Sequence, residues 1–321
     1  MPKVSILMSV YNKSEFLSQA IQSILGQSLA DFEFIIRDNQ STDNSVEIIK
    51  GFHDDRIKFD RNSRNLGPVG SLNNCIEQAQ GEYIAFAHGD DIWDKDFLGA
   101  NAGYLDTYGT INVTHSLMHI IDEKDIVNYC QPDMTIGDNR VEGYQEVLTR
   151  LFKGCYIKTP TVFIRRKAVR YYNFRYLYTW DWDMYLNVAA ARNDFLFINR
   201  PLMYYRVSTT NETAIGMKGG DFVLEGYLVL RNFFHNHREY GGYRKKALKR
   251  LSASILRRSR DVDSRSALSF FLCFAILCYP LKVLSPVFHL YLFLGLLFGP
   301  SGVRQLKDAS GWFKRLTMRH G

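Results

Sequence analysis

Between residues 4 and 87, apolar β-rich runs alternate with segments whose apolar residues recur at helical spacing, and few folds accommodate that order. Val4 to Val10 predicts a strand. Asn12 and Ser14 offer caps before Phe16, Leu17, Ala20, Ile21, Ile24 and Leu25, which share one helical face. The alternation continues with a strand over Phe32 to Ile36, a helix over Val46 to Phe52, a short strand over Ile57 to Phe59, a helix over Leu72 to Ala79 and a strand over Tyr83 to Ala87. The expectation is an α/β fold: a Rossmann-like, mostly parallel central sheet with helices on both faces. After residue 111 the pattern is less regular, with strands expected at Ile111 to Val113, Val162 to Ile164 and Phe195 to Ile198, and a helix at Met184 to Ala191.

In such sheets ligands bind beyond the carboxyl ends of the strands, so the loops that matter are Tyr11 to Lys13, Asp38 to Asp43, Arg61 to Gly70 and His88 to Asp94. The first of these has no G-x-G-x-x-G turn, and no Walker-type loop occurs, which removes support for dinucleotide binding of the dehydrogenase kind. A nucleotidyltransferase would need a Gly-rich, basic loop after the first strand, and Val10 to Ser14 does not supply one.

Acidic motifs occupy the positions that chemistry would use. Asp38-Asn39-Gln40-Ser41-Thr42-Asp43 can hydrogen-bond the edge of a base, or simply cap the next helix. His88-Gly89-Asp90-Asp91 can hold a divalent cation, Mn²⁺ or Mg²⁺, that neutralises a diphosphate leaving group; a plain Gly-Asp turn is the alternative. Trp180-Asp181-Trp182-Asp183 places a carboxylate between two indoles, where a raised pKa suits a general base, or else it only favours a helix N-terminus.

In this order the motifs resemble the family 2 glycosyltransferases, whose catalytic domain has the GT-A fold. The similarity spans residues 3 to 210. Val4-Ser5-Ile6-Leu7-Met8-Ser9-Val10-Tyr11-Asn12 resembles the opening strand, Ile24-Leu25-Gly26-Gln27-Ser28 the helix end, and Asn65-Leu66-Gly67 with Asn73 the N-x-G…N segment. Gly81-Glu82-Tyr83-Ile84-Ala85 resembles the lead into the metal motif, Trp180 to Leu186 falls at the catalytic motif, and Pro201-Leu202 with Tyr204-Tyr205-Arg206 matches the later P-L-x-x-Y-R segment. The resemblance implies nucleotide-sugar contacts from Tyr11, Asn12, Asp38, Asn39, Asn65, Asp90 and Asp91, a metal held by Asp90 and His88, and Asp181 as the base of an inverting transfer. Asn39, His88 and Ser208 depart from the family's usual residues, and a catalytically weakened, nucleotide-sugar-binding scaffold is the competing reading.

The cysteines, Cys75, Cys130, Cys155, Cys273 and Cys278, are odd in number and show no metal spacing, which fits a reducing compartment. No secretory signal is visible, so a cytoplasmic catalytic part is expected. The formal net charge of +7 is concentrated in an acid-free run containing Arg244, Lys245, Lys246, Lys249, Arg250, Arg257, Arg258 and Arg260. An apolar stretch over 267 to 298, broken by Pro280, Lys282, Pro286 and His289, follows it. Neither half makes a clean span, and cations flank both ends, so the expectation is a C-terminal helical, apolar segment entering or lying on the membrane rather than crossing once, a soluble helical hairpin packed on the catalytic domain or on a second copy being the alternative.

The segments read as a nucleotide-sugar half (1–110), an acceptor half (111–235), a basic helical linker (236–265), a membrane-associated hairpin or interfacial helices (266–299) and a basic tail (300–321). The expected partners are a nucleotide sugar, a saccharide or polyprenyl-linked acceptor and the cytoplasmic face of the membrane, with self-association left open and no nucleic acid. The expected role is the addition of one sugar during surface-polysaccharide assembly.

Overall fold

The computed structural model describes residues 1–130, 139–207 and 221–258, together with scattered positions from 272 to 294. Two compact units result: residues 1–151 with 155–211, and residues 152–154 with 212–321.

In the first unit, β1 (Val4–Val10), α1 (Leu17–Leu25), β2 (Phe32–Asp38), α2 (Ser45–Lys50), β3 (Ile57–Arg61), α3 (Gly67–Gln78) and β4 (Tyr83–Ala87) follow the expected alternation. The helix α3 starts five residues earlier than its apolar period suggests, because Pro68 suits a first helical turn and the Asn65 side chain accepts a hydrogen bond from the Gly67 amide at 2.8 Å. Then come β5 (Ile92–Trp93), α4 (Phe97–Thr107), β6 (Ile111–Ile121), β7 (Val127–Cys130), β8 (Arg140–Glu142), α5 (Tyr144–Leu151), β9 (Phe163–Arg165), α6 (Trp180–Ala190) and β10 (Asp194–Arg206).

The strands join in one sheet of order β3-β2-β1-β4-β9-β6-β10-β5, with β7 beside β6 and β8 beside β10. Here the expectation of a mostly parallel sheet is corrected. The pairings from β3 to β4 and between β6 and β10 are parallel, but β9, β5, β7 and β8 all pair antiparallel. Only the strands fed by a crossing helix return in the same direction. The short β9 follows a 3₁₀ turn at Thr159–Thr161 and enters from the opposite edge.

Strand β1 is buried on both faces. Val4, Ile6, Met8 and Val10 share a core with Leu17, Ala20, Ile21 and Ile24 of α1 and Phe97, Leu98, Ala102 and Leu105 of α4. On the other pleat, β1 and β2 are covered by α3, whose Val69, Leu72 and Cys75 are buried.

The long strands β6 and β10 extend well past their apolar stretches. Polar residues inside β6 conceal it from the hydrophobic pattern, and two of them find buried partners: Thr114 Oγ1 donates to Asn101, and His115 Nε2 lies 3.0 Å from Glu142. Pro201 interrupts β10 at a register shift, where a missing donor is tolerated.

At the amino edge the sheet is tied by Glu33. Its carboxylate meets Ser5 Oγ at 2.5 Å, the Gln80 amide at 2.7 Å and Lys58 Nζ at 2.6 Å. Gly81 sits so close to β1 that a Cβ would lie 2.7 Å from the Val4 carbonyl carbon and 2.8 Å from Ser5 Oγ.

The second unit contains α7 (Asp221–Asn236) and α8 (Gly241–Arg258). Phe152 packs with Phe233, Phe234 and Tyr243, and Ile255, Leu256, Leu272, Ala275, Phe288 and Tyr291 form a separate cluster. Along α8, Arg244, Lys245, Lys246, Lys249 and Arg257 are exposed while Ala247, Ser252, Ile255 and Leu256 are buried. No helix among the described residues is long and apolar enough to cross a membrane. Most of the expected apolar hairpin, including Cys273, Cys278, Pro280 and Lys282, lies outside the described residues, as do Ser208, Arg260 and the tail from 300.

Gly81→Ala forces β1 and β4 apart and costs about 2–4 kcal/mol, read as a loss in chemical-denaturation midpoint. A second test concerns Glu142, which is fully buried and accepts from Arg140 at 2.7 Å, from Tyr156 Oη at 2.8 Å, and from Arg150. Burial opposes its charge, but His115 and the two guanidiniums outweigh that and lower its pKa from 4.5 to about 2. The depressed value means its stabilisation is complete above about pH 4.5 and disappears as the pH falls through about 2. Glu142→Gln is therefore less stable at neutral pH by on the order of 2–3 kcal/mol, a deficit that shrinks across that acid window in pH-dependent unfolding.

Candidate functional site

Every loop singled out from the sequence lies at the carboxyl edge of β1 to β4, and they are sewn to one another. After β1, Asn12 adopts a left-handed backbone (φ 52°). Its amide donates to Ser41 Oγ at 3.0 Å, and its Oδ1 accepts from the Thr42 amide at 2.8 Å. The Ser14 amide donates to Asp43 at 2.9 Å, and Ser45 Oγ bonds the same carboxylate at 2.6 Å. Burial opposes the charge on Asp43, but these donors outweigh it and lower the pKa to about 2. Tyr11 is left half exposed beside this join.

Asp38 and Asn39 are inside the structure. Asp38 has no exposed surface, and its carboxylate accepts from the Gln40 and Ser41 amides, each at 3.1 Å, and from Arg61 Nε at 2.9 Å. Asn39 accepts from Asn62 at 3.0 Å and from the Leu66 amide at 2.9 Å, and donates to Asn65 Oδ1 at 2.9 Å. Both side chains hold the second and third loops together, while Asn65 and Arg61 stay exposed at that edge. Arg61 also reaches the Ser41 carbonyl at 2.8 Å.

Beyond β4, one ligand atom from each of His88, Asp90 and Asp91 lies within 4.8 Å of the others. Asp91 is buried, and its Oδ1 accepts from the Arg206 amide at 2.9 Å. Its Oδ2 stands 3.2 Å from His88 Nδ1 but receives no aligned hydrogen bond. Burial raises the Asp91 pKa, with His88 pulling the other way. Desolvation likewise works against the His88 cation, but the close approach of Asp91 and the charges of Asp91 and Asp90 prevail and raise its pKa.

A buried carboxylate oxygen without an aligned donor, flanked by a second carboxylate and an imidazole, fits a divalent cation. The mixed nitrogen and oxygen set suits Mn²⁺ better than Mg²⁺. Lys13 Nζ, 2.5 Å from Asp90 Oδ2, supplies a cation from the first loop.

Arg206, 1% exposed, locks this cluster in place. Its Nε donates to the Asp90 carbonyl at 2.9 Å, its other nitrogens to the Asp122 carbonyl at 2.8 Å and to Gln19 at 2.9 Å, and it pairs with Asp125 at 2.6 Å. Its guanidinium also lies 4.2 Å from the centre of the Phe16 ring.

Asp181 lies in the first turn of α6, which the Trp-Asp-Trp-Asp motif opens. Its Oδ1 accepts from the Trp182 amide at 2.7 Å and its Oδ2 from Thr159 Oγ1 at 3.2 Å, with Tyr185 Oη donating to Thr159 at 3.1 Å. Burial raises the Asp181 pKa; the Trp182 amide, Lys158 and Thr159 temper the rise. Thr159 begins the 3₁₀ turn that packs on β4, and the register that sets Ala85 opposite Phe163 carries that turn alongside the end of β4. Asp181 and the His88 to Asp91 cluster therefore sit on the same edge of the sheet.

The sequence reading did not single out Lys13, Arg206, Asn62 or Thr159 for the site. Lys13 lies in a loop already marked, and Arg206 closes the P-L-x-x-Y-R segment. Asn62 and Thr159 carry no local signal.

The sequence model of glycosyl transferase family 2 matches residues 5–172. An uncharacterized glycosyltransferase of Methanocaldococcus jannaschii is 28% identical over 246 residues, covering 74% of this chain and 82% of that protein. The Escherichia coli UDP-Glc:alpha-D-GlcNAc-diphosphoundecaprenol beta-1,3-glucosyltransferase WfgD is 28% identical over 190 residues, covering 59% of this chain and 71% of that protein. In structure, residues 1–349 of S. aureus TarS in complex with UDP-GlcNAc superpose with a TM-score of 0.67 at 17% identity, covering 97% of this chain and 92% of that one. Mannosyltransferase PcManGT of Pyrobaculum calidifontis, in complex with GDP-Man and Mn²⁺, gives a TM-score of 0.55 at 15% identity over 93% and 87% of the two chains.

The raised pKa of Asp181 sets the sign of a stability test. Folding favours its protonated form, so the group's contribution is best below the usual carboxylate pKa and is lost as the pH rises through the folded value. At neutral pH the desolvated charge is a burden, and Asp181→Asn raises Tm while the same substitution at exposed Asp55 leaves it unchanged.

Proposed function

This chain belongs to glycosyl transferase family 2, and from that membership we propose that it moves a sugar from a nucleoside-diphosphate donor to a hydroxyl of a polyprenyl-linked saccharide during surface-polysaccharide synthesis. The observation that carries the reading is the pairing at one sheet edge of a compact His88, Asp90, Asp91 cluster with a half-buried carboxylate of raised pKa at Asp181. The first suits a diphosphate and the second an incoming alcohol.

Asp181 takes the proton of the acceptor hydroxyl as that oxygen bonds to the anomeric carbon. The carbon–oxygen bond to the diphosphate breaks on the opposite side, so the configuration inverts and no covalent sugar–enzyme intermediate forms. Burial brings the Asp181 pKa closer to that of an alcohol than an ordinary aspartate's, which eases the transfer. Thr159 holds the carboxylate's orientation through a side chain that Tyr185 fixes in turn.

Asp90, Asp91 and His88 would hold a divalent cation, which when bound supplies positive charge to the departing diphosphate. Lys13 stands beside it to contribute a second positive charge, and Arg206 keeps both aspartates in register. Tyr11, Asn12 and Asn65 line the donor's nucleoside side. Asp38 and Asn39 serve that side by holding its loops, since their side chains are buried. Residues 1–110 then form the donor half and 111–235 the acceptor half.

Attachment to the cytoplasmic membrane surface follows from the acceptor class. The exposed cations of α8 support it, as do the diphosphoundecaprenol acceptors named for WfgD and for a Campylobacter jejuni beta-1,3-glucosyltransferase that is 35% identical over 117 residues. Residues 236–265 are the basic linker of this attachment, and 266–299 the part that meets the bilayer.

A donor screen by thermal shift with Mn²⁺ identifies the nucleotide sugar. With that donor, Asp181→Asn lowers kcat by about 10²–10⁴-fold and keeps donor affinity. Asp91→Asn instead abolishes the Mn²⁺-dependent gain in donor affinity. In wild type, kcat/KM falls on the acid side at a pH above the usual carboxylate range, because the base works only when deprotonated and its pKa is raised. Full turnover in Asp181→Asn would refute the assignment.

A further inference from the structure

The chain between β9 and α6 has a composition that the transfer chemistry does not use. From Ile164 to Trp180 it contains Arg165, Arg166, Lys167, Arg170 and Arg175 and no acidic residue, interleaved with five tyrosines and phenylalanines, Tyr171, Tyr172, Phe174, Tyr176 and Tyr178. The fold sorts these side chains. Tyr172 and Tyr176 are 2% and 1% exposed, whereas Tyr171 is 62% and Phe174 73% exposed, the highest value for a large apolar side chain after Met1 among the described residues. Lys167, Arg170 and Arg175 are exposed beside them.

This exposure is held in place by specific bonds. Asn73 clamps Tyr172 from both sides, accepting from its amide at 2.8 Å and donating to its carbonyl at 2.9 Å. The Tyr172 ring packs against Phe86 and meets Trp180 edge-on at 4.6 Å. Beyond it the Asn173 side chain accepts from the Arg175 amide at 3.1 Å, and the Tyr176 amide returns to the Asn173 carbonyl at 3.2 Å. A turn closed in this way puts Phe174 and Arg175 at its tip. The Phe174 ring also walls a recess of about 490 Å³ with Arg64, Asn65, Leu66, Gly70 and Asn74, which sets a further exposed guanidinium beside it.

We propose that this turn, residues 169–178, is a membrane-docking element that seats Tyr171 and Phe174 in the interface of an anionic phospholipid bilayer. Aromatic rings gain from the headgroup boundary, and each nearby cation adds attraction to acidic lipid. A segment with several cations and no acid is complementary to that surface and repels a basic protein face. Its place in the chain gives the contact a use: Phe174 precedes Asp181 by seven positions, and Trp180 links the pinned Tyr172 to the turn that carries the base. Docking here would bring the sheet edge that carries Asp181 and the Asn65 loop to the surface where a lipid-linked saccharide resides. The proposal rests on the membrane reading above and adds a second contact, separate from the basic α8 and the apolar stretch after it.

Hydrogen exchange of the full chain, with and without vesicles of phosphatidylcholine and phosphatidylglycerol, tests the turn directly. The amides of 173–177 are expected to slow with the mixed vesicles and not with phosphatidylcholine alone. In co-sedimentation, Tyr171→Ser/Phe174→Ser binds the mixed vesicles about tenfold more weakly, and Phe174→Trp restores binding. Vesicle binding with unchanged exchange at 173–177 and an unaffected double variant overturns the docking turn but leaves the membrane reading standing. Absence of any vesicle binding overturns both. Protection that grows with protein concentration and without lipid identifies a second copy as the occupant and also overturns the proposal.

Discussion

The parallel pairing of β1 with β2 on one side and β4 on the other is the constraint from which the rest of the catalytic unit follows. Because the three strands run the same way, their loops emerge at one edge, and because β1 is buried on both faces its residues are apolar throughout except Ser5 and Ser9. Glu33 and the close approach at Gly81 secure the opposite, amino edge. Strain or separation between these strands would move the first, second and fourth loops relative to one another, and the site consists of their relation.

Those loops are short of apolar contacts and are held by polar ones. Asp38, Asn39 and Asp43 are consumed in joining neighbouring loops, and Arg206 is consumed in joining the end of β10 to the β4 loop, α1 and the turn after β6. A buried guanidinium with this many partners tolerates little displacement, since each lost acceptor leaves a desolvated donor. The rigidity is therefore concentrated in residues that support the site. Asp91 Oδ2, lacking an aligned donor, and Asp181, carrying a raised pKa, are the places where the structure leaves electrostatic energy unspent. The proposed roles place a cation at one of these positions and a proton at the other.

Among the described residues two basic surfaces stand out, and they belong to different units: the exposed face of α8 and the aromatic turn between β9 and α6. A soluble acceptor gives neither a use. On the proposed reading a lipid-linked one would give both a use, attachment by one unit holding the enzyme at the membrane and contact through the catalytic unit orienting its open edge. The proposed docking turn thus connects the acceptor class to the geometry of the site.

The sequence alone determined the alternation through β4, the edge at which ligands gather and the family to which the chain is similar, because strand and helix periods and loop motifs are local properties of neighbouring residues. It marked His88, Asp90, Asp91 and Asp181 for the same reason: each lies in a short motif next to a periodic segment. It could not reveal the antiparallel insertion of β9 or the full length of β6 and β10, where Thr114 and His115 find their partners only in distant Asn101 and Glu142. Nor could it show that Asp38 and Asn39 face inward, that Thr159 orients Asp181, or that Arg206 grips the Asp90 and Asp91 loop from over a hundred positions away. Those were decided by tertiary structure, because burial and hydrogen-bond partnership depend on which segments the sheet brings side by side, and no local pattern encodes that neighbourhood.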